Sequence, residues 1–233
     1  QGFGAFATEA VDRSLFDLQS FLIIYATTGM VLCGLLRSTQ DAQRNHHEVS
    51  IEIETAKGKM RLAHDIQAGL FPSHPIENRH AACIGICQVA EDASGDFFDF
   101  IEESDGKIVM MIGDVSGHGI GPALLMAETR AYVRALLHNE RHLVTILRQL
   151  NQFLIEDIDD GHFVTFMICR FDAGDGTIEY VGAGHEGLII HHDGSLTKLE
   201  SSTIPLGMCQ TMPGCASKTV NVQSKDIIAL YTD

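Results

Sequence analysis

The distribution of apolar and polar residues divides the chain into three parts, the first of which is strongly apolar. Phe21–Leu36 contains no charged residue, and a helix needs about 20 apolar residues to cross the hydrocarbon core of a bilayer. The pattern predicts a transmembrane segment within residues 1–40, with a buried helix of a soluble protein as the alternative. Arg37 and Arg44 follow the segment. The positive-inside rule then predicts that its C-terminal side faces the cytoplasm.

The second part, residues 41–72, is polar and carries apolar residues at heptad spacing. These residues are Val49, Ile53, Ala56, Met60 and Ala63. Alternate steps of four and three residues are typical of a coiled-coil seam. We therefore expect a helical linker that ends before Pro72 and joins two copies of the chain in a homodimer. An amphipathic helix that lies on its own domain is the alternative.

The third part, residues 73–233, alternates strand-like and helix-like patterns. Helices are predicted over Pro122–Leu137 and Arg141–Ile155. Strands are predicted over Ala81–Val89, Asp96–Ile101, Lys107–Asp114, Phe163–Phe171, Thr177–Gly182, Gly187–His192, Thr219–Val222 and Asp226–Thr232. The turn sequences DAGDG and HDG favour hairpins. Antiparallel strands with inserted helices indicate an α+β layered domain and not a doubly wound sheet.

The charge of the third part narrows the chemistry. The chain has a net charge of −15, and residues 81–233 contain 22 acidic and 9 basic side chains. Such a domain repels a phosphate backbone, which argues against nucleic-acid binding. Chemistry on phosphate groups would require metal ions to reverse the local field. The six cysteines form no C-x-x-C pair, so we expect reduced thiols and a cytosolic compartment.

Three acidic residues stand where apolar strands end, namely Asp96, Asp114 and Asp233. A carboxylate at the mouth of a buried strand is costly unless a partner compensates its charge. Near Asp96 and Asp114 the only basic residue is Lys107, at the far end of its strand. A divalent cation is the simplest compensation, and oxygen ligands favour Mg²⁺ or Mn²⁺ over Zn²⁺. Taken singly, each acid also suits a helix cap or a turn.

Five motifs occur in an order that resembles one enzyme family. They are SGDFFDF, GDVSGHGIGPALLMAE, YVGAGHEGLII, IPLGM and DIIALYTD. Over residues 60–233 the chain resembles PPM-type (protein phosphatase 2C-like) serine/threonine phosphatases of the SpoIIE/RsbU branch. The stretch HDIQAGLFP is similar to the linker that commonly precedes that domain. The first 45 residues resemble the last transmembrane helix of a MASE-type membrane sensor.

The resemblance implies a β-sandwich flanked by helices, with a centre for two Mn²⁺ or Mg²⁺ ions between the sheets. Carried over by position, Asp96, Asp114 and Asp233 would be metal ligands, together with the backbone carbonyl of Val115. Family members have a glycine after the last of these acids and one more ligand aspartate downstream. We therefore expect the phosphatase domain, residues 73–233, to be incomplete at its C-terminus.

Two histidines are candidates for a role beside the metals. His118 lies in the loop SGHG close to Asp114, and its ordinary pKa suits a proton donor for the leaving group. The alternative for His118 is a loop residue without a chemical role. His185 stands in the AGH motif that the family shares. The alternative for His185 is a hydrogen-bonding role within the sheet layers.

The resemblance implies a phosphoserine/phosphothreonine protein phosphatase that is tethered to the bacterial inner membrane and faces the cytoplasm. Its expected reaction is direct attack by a metal-activated water, with Asp96, Asp114 and His118 as the catalytic residues. The expected substrate is a phosphorylated STAS-type anti-anti-sigma factor or a similar partner. Two alternatives stay open, namely a catalytically silent module that binds a phosphoprotein and a metal-dependent phosphoesterase that acts on small esters.

Overall fold

A single long helix forms the N-terminal part of the chain. The computed structural model describes residues 4–87, 94–158 and 161–232. Helix α1 is continuous over Gly4–Ala68, 65 residues, and so includes both the predicted membrane span and the predicted linker. It ends four residues before Pro72. The chain divides into two compact units, the second of which begins at Lys57 within this helix.

The apolar half of α1 is exposed along its length. Phe21 and Tyr25, for example, are 64% and 74% exposed. The hydroxyls of Thr27 and Thr28 donate to the carbonyls of Ile23 and Ile24 at 2.9 and 2.7 Å, so these polar groups are satisfied within the helix, as a bilayer requires. The helix is long and apolar enough to cross a membrane, judged by length and composition alone.

The predicted heptad seam has two different environments. Val49 and Ile53 are 53% and 50% exposed. Met60 and Ala63 are half-buried, and the Met60 methyl group lies 3.6 Å from the point where a Cβ on Gly119 would stand. The end of the seam therefore packs on its own domain, which was the alternative expectation. Dimerisation through the first part stays a prediction.

Within its described residues, the second unit contains two main antiparallel sheets and two helices besides the end of α1. The strands are β1 (Ile76–Glu77), β2 (Ala82–Cys83), β3 (Phe97–Glu102), β4 (Ile108–Val115), β5 (Val164–Asp172), β6 (Thr177–Ala183), β7 (Gly187–Ile190), β8 (Leu196–Leu199), β9 (Lys218–Asn221) and β10 (Ile227–Leu230). The helices are α2 (Ile120–Leu137) and α3 (Leu143–Asp157). The five-stranded sheet has the order β3-β4-β5-β6-β9, and the three-stranded sheet has the order β10-β7-β8.

Most predicted helices and strands of the second unit are confirmed, with bounds that differ by at most two residues, but one predicted strand is wrong. The predicted strand Ala81–Val89 is reduced to β2, which pairs only with the two residues of β1. Ile84 and Ile86 are 75% and 86% exposed, and Gln88 and Val89 lie outside the described residues. An apolar alternation forms a strand only where a neighbouring strand accepts its backbone hydrogen bonds, and within the described residues Ile84 and Ile86 belong to no strand pair.

The alternation of side chains gives the five-stranded sheet two different faces. On β5, Phe166 and Ile168 belong to the core shared with α2 and α3. Met167 and Cys169 belong to the second core, shared with Ile189 of β7 in the three-stranded sheet. The domain is therefore layered as helices, sheet and sheet, which confirms the α+β prediction. The two cores lie on opposite faces of the five-stranded sheet, and the second core lies between the two sheets.

A buried ion-pair cluster attaches α2 to β3. The Asp99 carboxylate has no exposed surface and lies 2.9 Å from Nε of Arg130 and 2.6 Å from Nε of Arg134. Burial lowers the pKa of Arg130, whereas the hydrogen bond to Asp99 raises the pKa of Arg134. Asp99 thus compensates two guanidinium groups on one face of the helix.

We predict that Asp99→Asn destabilises the domain strongly. Removing one partner from a buried ion pair typically costs about 3–5 kcal/mol, because the other charge stays buried without compensation. Urea denaturation should show this loss. Glu102→Gln, at the exposed end of the same strand, should change the free energy of unfolding by less than about 0.5 kcal/mol. Equal effects of the two substitutions would contradict the role of Asp99.

A second cluster joins the β7–β8 hairpin to the turn before β10. The Asp226 side chain is 2% exposed and accepts hydrogen bonds from the backbone N–H groups of Gln223 and His192, both at 2.9 Å. The His191 ring is 2.8 Å from Asp226 and 2.8 Å from Thr197. The Gln223 hydrogen bond is the main cause that holds the pKa of Asp226 well below its usual range.

We predict a pH-dependent stability difference between Asp226→Asn and the unaltered chain. The pKa of Asp226 is lower in the folded chain than in the unfolded chain. The stability that the Asp226 carboxylate contributes is therefore complete above the unfolded pKa of about 4, and it is lost as the pH falls through the folded pKa. The difference in urea midpoint between Asp226→Asn and the unaltered chain should therefore be largest at pH 7 and should become smaller below about pH 4. Asp175→Asn, in an exposed turn, should show no gap at either pH. A gap that widens in acid would contradict the assignment.

Candidate metal centre

Two of the three predicted acids lie opposite each other on neighbouring strands. Phe97 pairs with Gly113 in the β3–β4 ladder, and the Val115 N–H donates to the Gly95 carbonyl at 3.3 Å. The register between these pairs places Asp96 opposite Asp114. Both side chains therefore point to the same face of the sheet, which is the face of Met110 and Ile112 and is directed toward the three-stranded sheet. Both residues are half-buried.

The opposition of two carboxylates has an electrostatic cost. Side chains that face each other across an antiparallel pair have Cβ atoms about 4.5–5.5 Å apart, and like charges in this arrangement are destabilising. A divalent cation bound by both would remove the repulsion. Carboxylate and carbonyl oxygens are the donors that Mg²⁺ and Mn²⁺ prefer. The donor set at these strand ends therefore fits the ions that the sequence predicted.

The carbonyl of Val115 belongs to the same strand ends. A Cβ on Gly95 would stand 2.4 Å from this oxygen, so only glycine allows the two strands to approach so closely here. Within the described residues no three His, Cys, Asp or Glu side chains form a metal-binding group. Asp233, the third predicted carboxylate, lies outside the described residues, and its role as a ligand stays a prediction.

His185 connects the sheets beside the two acids. Its ring is 8% exposed, with Nδ1 at 3.0 Å from the hydroxyl of Thr165 and Nε2 at 3.0 Å from the carbonyl of Tyr231. A carbonyl only accepts, so Nε2 carries a proton, and in the neutral ring Nδ1 accepts from Thr165. Thr165 is the β5 partner of Asp114. His185 thus links the strand beside Asp114 to the segment that follows β10.

The loop after Asp114 is held by a residue that sequence reasoning did not single out. His162 Nδ1 donates to the Ser116 carbonyl at 3.0 Å, and the Phe163 N–H donates to the Ser116 hydroxyl at 2.9 Å. His118 is exposed and lies between Gly117 and Gly119, which have φ angles of 94° and 95°. Its role as a proton donor stays a prediction.

Two further polar residues, Gln67 and Ser94, were also absent from the predicted site. The Ser94 hydroxyl donates to Oδ2 of Asp96 at 3.2 Å, and the Gln67 side chain bonds to the Ser94 backbone. The sequence signal for Ser94 was its place in the SGD motif. The signal for Gln67 was a polar amide side chain between apolar residues in the stretch HDIQAGLFP.

We predict that Gly95→Ala disrupts the site from the backbone. The new Cβ would meet the Val115 carbonyl oxygen, and a backbone atom cannot rotate away as a side chain can. The expected result is a loss of about 1–3 kcal/mol in urea denaturation together with weaker Mn²⁺ binding. Gly58→Ala, where a Cβ has open space, should be neutral or slightly stabilising. Unchanged Mn²⁺ affinity in Gly95→Ala would contradict the placement of this carbonyl.

Comparison with known proteins is consistent with this fold. RsbU of Bacillus subtilis (strain 168), named a phosphoserine phosphatase, is 25% identical over 195 residues, which cover 82% of this chain and 57% of RsbU. The chain thus spans little more than half the length of this curated relative. The RsbU and RsbW domains of Rv1364c from Mycobacterium tuberculosis align at 27% identity with a TM-score of 0.52, over 58% of this chain and 38% of that one.

The fold is shared more widely. The SiaA-PP2C domain of Pseudomonas aeruginosa has a TM-score of 0.61 at 14% identity, over 76% of this chain and 71% of that one. The family model of Stage II sporulation protein E (SpoIIE) matches residues 104–233. This match covers more than half of the chain and runs from the β3–β4 hairpin through β10. The chain therefore belongs to the SpoIIE family.

Proposed function

We propose that this chain is a metal-dependent phosphoserine/phosphothreonine protein phosphatase of bacterial signalling. The observation that carries the proposal is the register that sets Asp96 opposite Asp114 at the ends of two buried strands. Family membership and the relative named a phosphoserine phosphatase support it. An acidic domain with 22 acidic and 9 basic side chains over residues 81–233 also needs cations before it can approach a phosphate group.

Each residue of the site has a proposed part. Asp96, Asp114, Asp233 and the Val115 carbonyl would hold two Mn²⁺ or Mg²⁺ ions. When bound, such ions lower the pKa of a water and offset charge on the phosphoryl oxygens. His185 keeps Thr165 and the Tyr231 backbone in place beside the carboxylates. His118 is exposed on the neighbouring loop, where it would protonate the serine or threonine oxygen as it leaves.

The N-terminal part places the enzyme at a membrane in this proposal. The apolar half of α1 would be the end of a MASE-type sensor in the inner membrane, with the second unit in the cytoplasm. The exposed positions around Val49 and Ile53 would join two copies in a parallel dimer. The proposed substrate is a phosphorylated STAS-type anti-anti-sigma factor, since the resemblance to the SpoIIE/RsbU branch implies a partner of this kind.

We predict that Asp114→Asn abolishes Mn²⁺-dependent phosphatase activity. Changes to residues that only support a metal ligand cost 10–100-fold, so loss of a ligand should lower kcat/KM by at least about 100-fold. The assay is phosphate release from a phosphoserine peptide and from p-nitrophenyl phosphate, using the full chain in detergent micelles. Asp105→Asn, at the opposite end of the same hairpin, is the matched control and should keep full activity.

The other outcomes separate the competing functions. Activity that survives both Asp114→Asn and EDTA would rule out the metal mechanism. Mn²⁺ binding without turnover of either substrate would favour a silent module that captures a phosphoprotein. Turnover of p-nitrophenyl phosphate without turnover of the phosphopeptide would favour a phosphoesterase for small molecules.

A further inference from the structure

The last turn of α1 contains a buried amide with an unusual set of partners. Gln67 is 4% exposed, and its two polar atoms both bond to the backbone of Ser94. Its Nε2 donates to the Ser94 carbonyl at 2.6 Å, and the Ser94 N–H donates to its Oε1 at 3.2 Å. The pairing needs one donor and one acceptor on the same side chain, which an amide supplies and a carboxylate does not.

Ser94 in turn is bonded to Asp96. The Ser94 hydroxyl donates to Oδ2 of Asp96 at 3.2 Å, and the Asp96 N–H donates to the Ser94 hydroxyl oxygen at 3.1 Å. The Ser94 hydroxyl therefore orients both the backbone N–H and the carboxylate of Asp96. Gln67 in turn orients the Ser94 backbone that carries this hydroxyl. Four hydrogen bonds thus connect the end of a helix to a carboxylate of the candidate metal centre.

Two apolar contacts flank Gln67 in sequence, one made by α1 and one made by the segment that follows it. The rings of Phe71 and Phe98 are stacked, with centroids 5.3 Å apart and planes 14° apart. The Met60 methyl lies against Gly119, in the loop that follows Asp114. Gln67 therefore lies between two residues, Met60 and Phe71, that both pack on the domain.

We propose that Gln67 is a positioning residue for the metal centre, which orients the Asp96 carboxylate through Ser94. The inference rests on the proposed function, because it concerns the affinity of the same two carboxylates for metal. Partners behind a metal ligand fix its orientation, and their loss typically lowers metal affinity 10–100-fold. The final turn of α1, within the linker motif, thereby supports the chemistry of the site.

The experiment compares three substitutions that break different bonds of this connection. Gln67→Met keeps the length of the side chain and removes both bonds to Ser94. Gln67→Glu keeps the acceptor and sets a carboxylate against the Ser94 carbonyl. Ser94→Ala leaves the Gln67 bonds intact and removes the bonds to Asp96. The full chain in detergent micelles is titrated with Mn²⁺, and free Mn²⁺ is measured by electron paramagnetic resonance.

We expect the Kd for Mn²⁺ to rise about 10–100-fold in all three variants. At saturating Mn²⁺ the kcat should return to within about threefold of the unaltered chain, since Asp96 itself is present. Hydrogen exchange without metal gives a second readout. The Ser94 and Asp96 amides should both exchange faster in Gln67→Met, whereas in Ser94→Ala only the Asp96 amide should do so, because the Ser94 amide keeps its acceptor.

Asn151 supplies a matched control. Its side chain is 1% exposed, its Nδ2 donates to the Cys209 carbonyl at 2.9 Å, and the Gly207 N–H donates to its Oδ1 at 2.9 Å. It is thus another buried amide that bonds to the backbone twice, but its partners are Cys209 and Gly207 and not Ser94. Asn151→Leu should lower the melting temperature and leave the Kd for Mn²⁺ unchanged.

The outcomes separate this inference from the proposed function. A Kd in Gln67→Met and Ser94→Ala equal to that of the unaltered chain would overturn the inference, and so would an equal loss in Asn151→Leu. In either case the Mn²⁺-dependent activity of the unaltered chain would leave the proposed function intact. If the unaltered chain binds Mn²⁺ but hydrolyses no phosphoserine peptide, the function fails, and weaker Mn²⁺ binding in the variants still supports the positioning role.

Discussion

The register of the β3–β4 hairpin, which sets two carboxylates opposite each other, is the constraint on which the candidate site depends. Asp96 and Asp114 are brought together by the register of a buried hairpin, in which Phe97 pairs with Gly113. The strands are apolar on either side of these acids, so the hairpin cannot slip to separate them without exposing its core residues. A cation bound by both acids would offset their repulsion, and the Ser94 hydroxyl donates to one oxygen of Asp96.

The two-residue period of a strand lets β3 and the residue before it present one acid on each face of the sheet. Successive side chains point to opposite faces, so Asp96 is directed between the sheets while Asp99 is directed toward α2. Asp99 is compensated inside the protein by Arg130 and Arg134, whereas Asp96 has a hydroxyl donor from Ser94. A slip of one residue would turn both acids to the opposite face and would remove Asp99 from its two arginines. The ion pairs of Asp99 therefore also favour the register that sets Asp96 opposite Asp114.

Much of the second unit could be predicted from sequence because its signals are local. Apolar runs and their GD sequences predicted β3 and β4 with their acids, and the DAGDG and HDG turns predicted two hairpins that the pairing confirms. The strand β8 was missed because LTKL has little apolar character. The strand predicted over Ala81–Val89 was wrong because a pattern does not reveal whether a neighbouring strand exists to pair with it.

The support of the site could not be predicted in the same way. Gln67 and Ser94 are 27 residues apart in sequence, and each is an ordinary polar residue when read alone. The alternative for His185, a hydrogen-bonding role within the sheet layers, fits its bonds to Thr165 and to the Tyr231 carbonyl, but the sequence did not reveal which strands it joins. Sequence patterns identify groups that would bind an ion, since those groups stand out as acids in apolar surroundings. They do not identify the hydrogen bonds behind them, which depend on the folded register.

A hydrogen bond weakens steeply when its donor and acceptor rotate away from line, and the Gln67 amide makes two such bonds from the final turn of α1. The orientation of that turn is therefore tied to Asp96 on one side and to the preceding turns of the helix on the other, because each residue of a helix is bonded to the next turn.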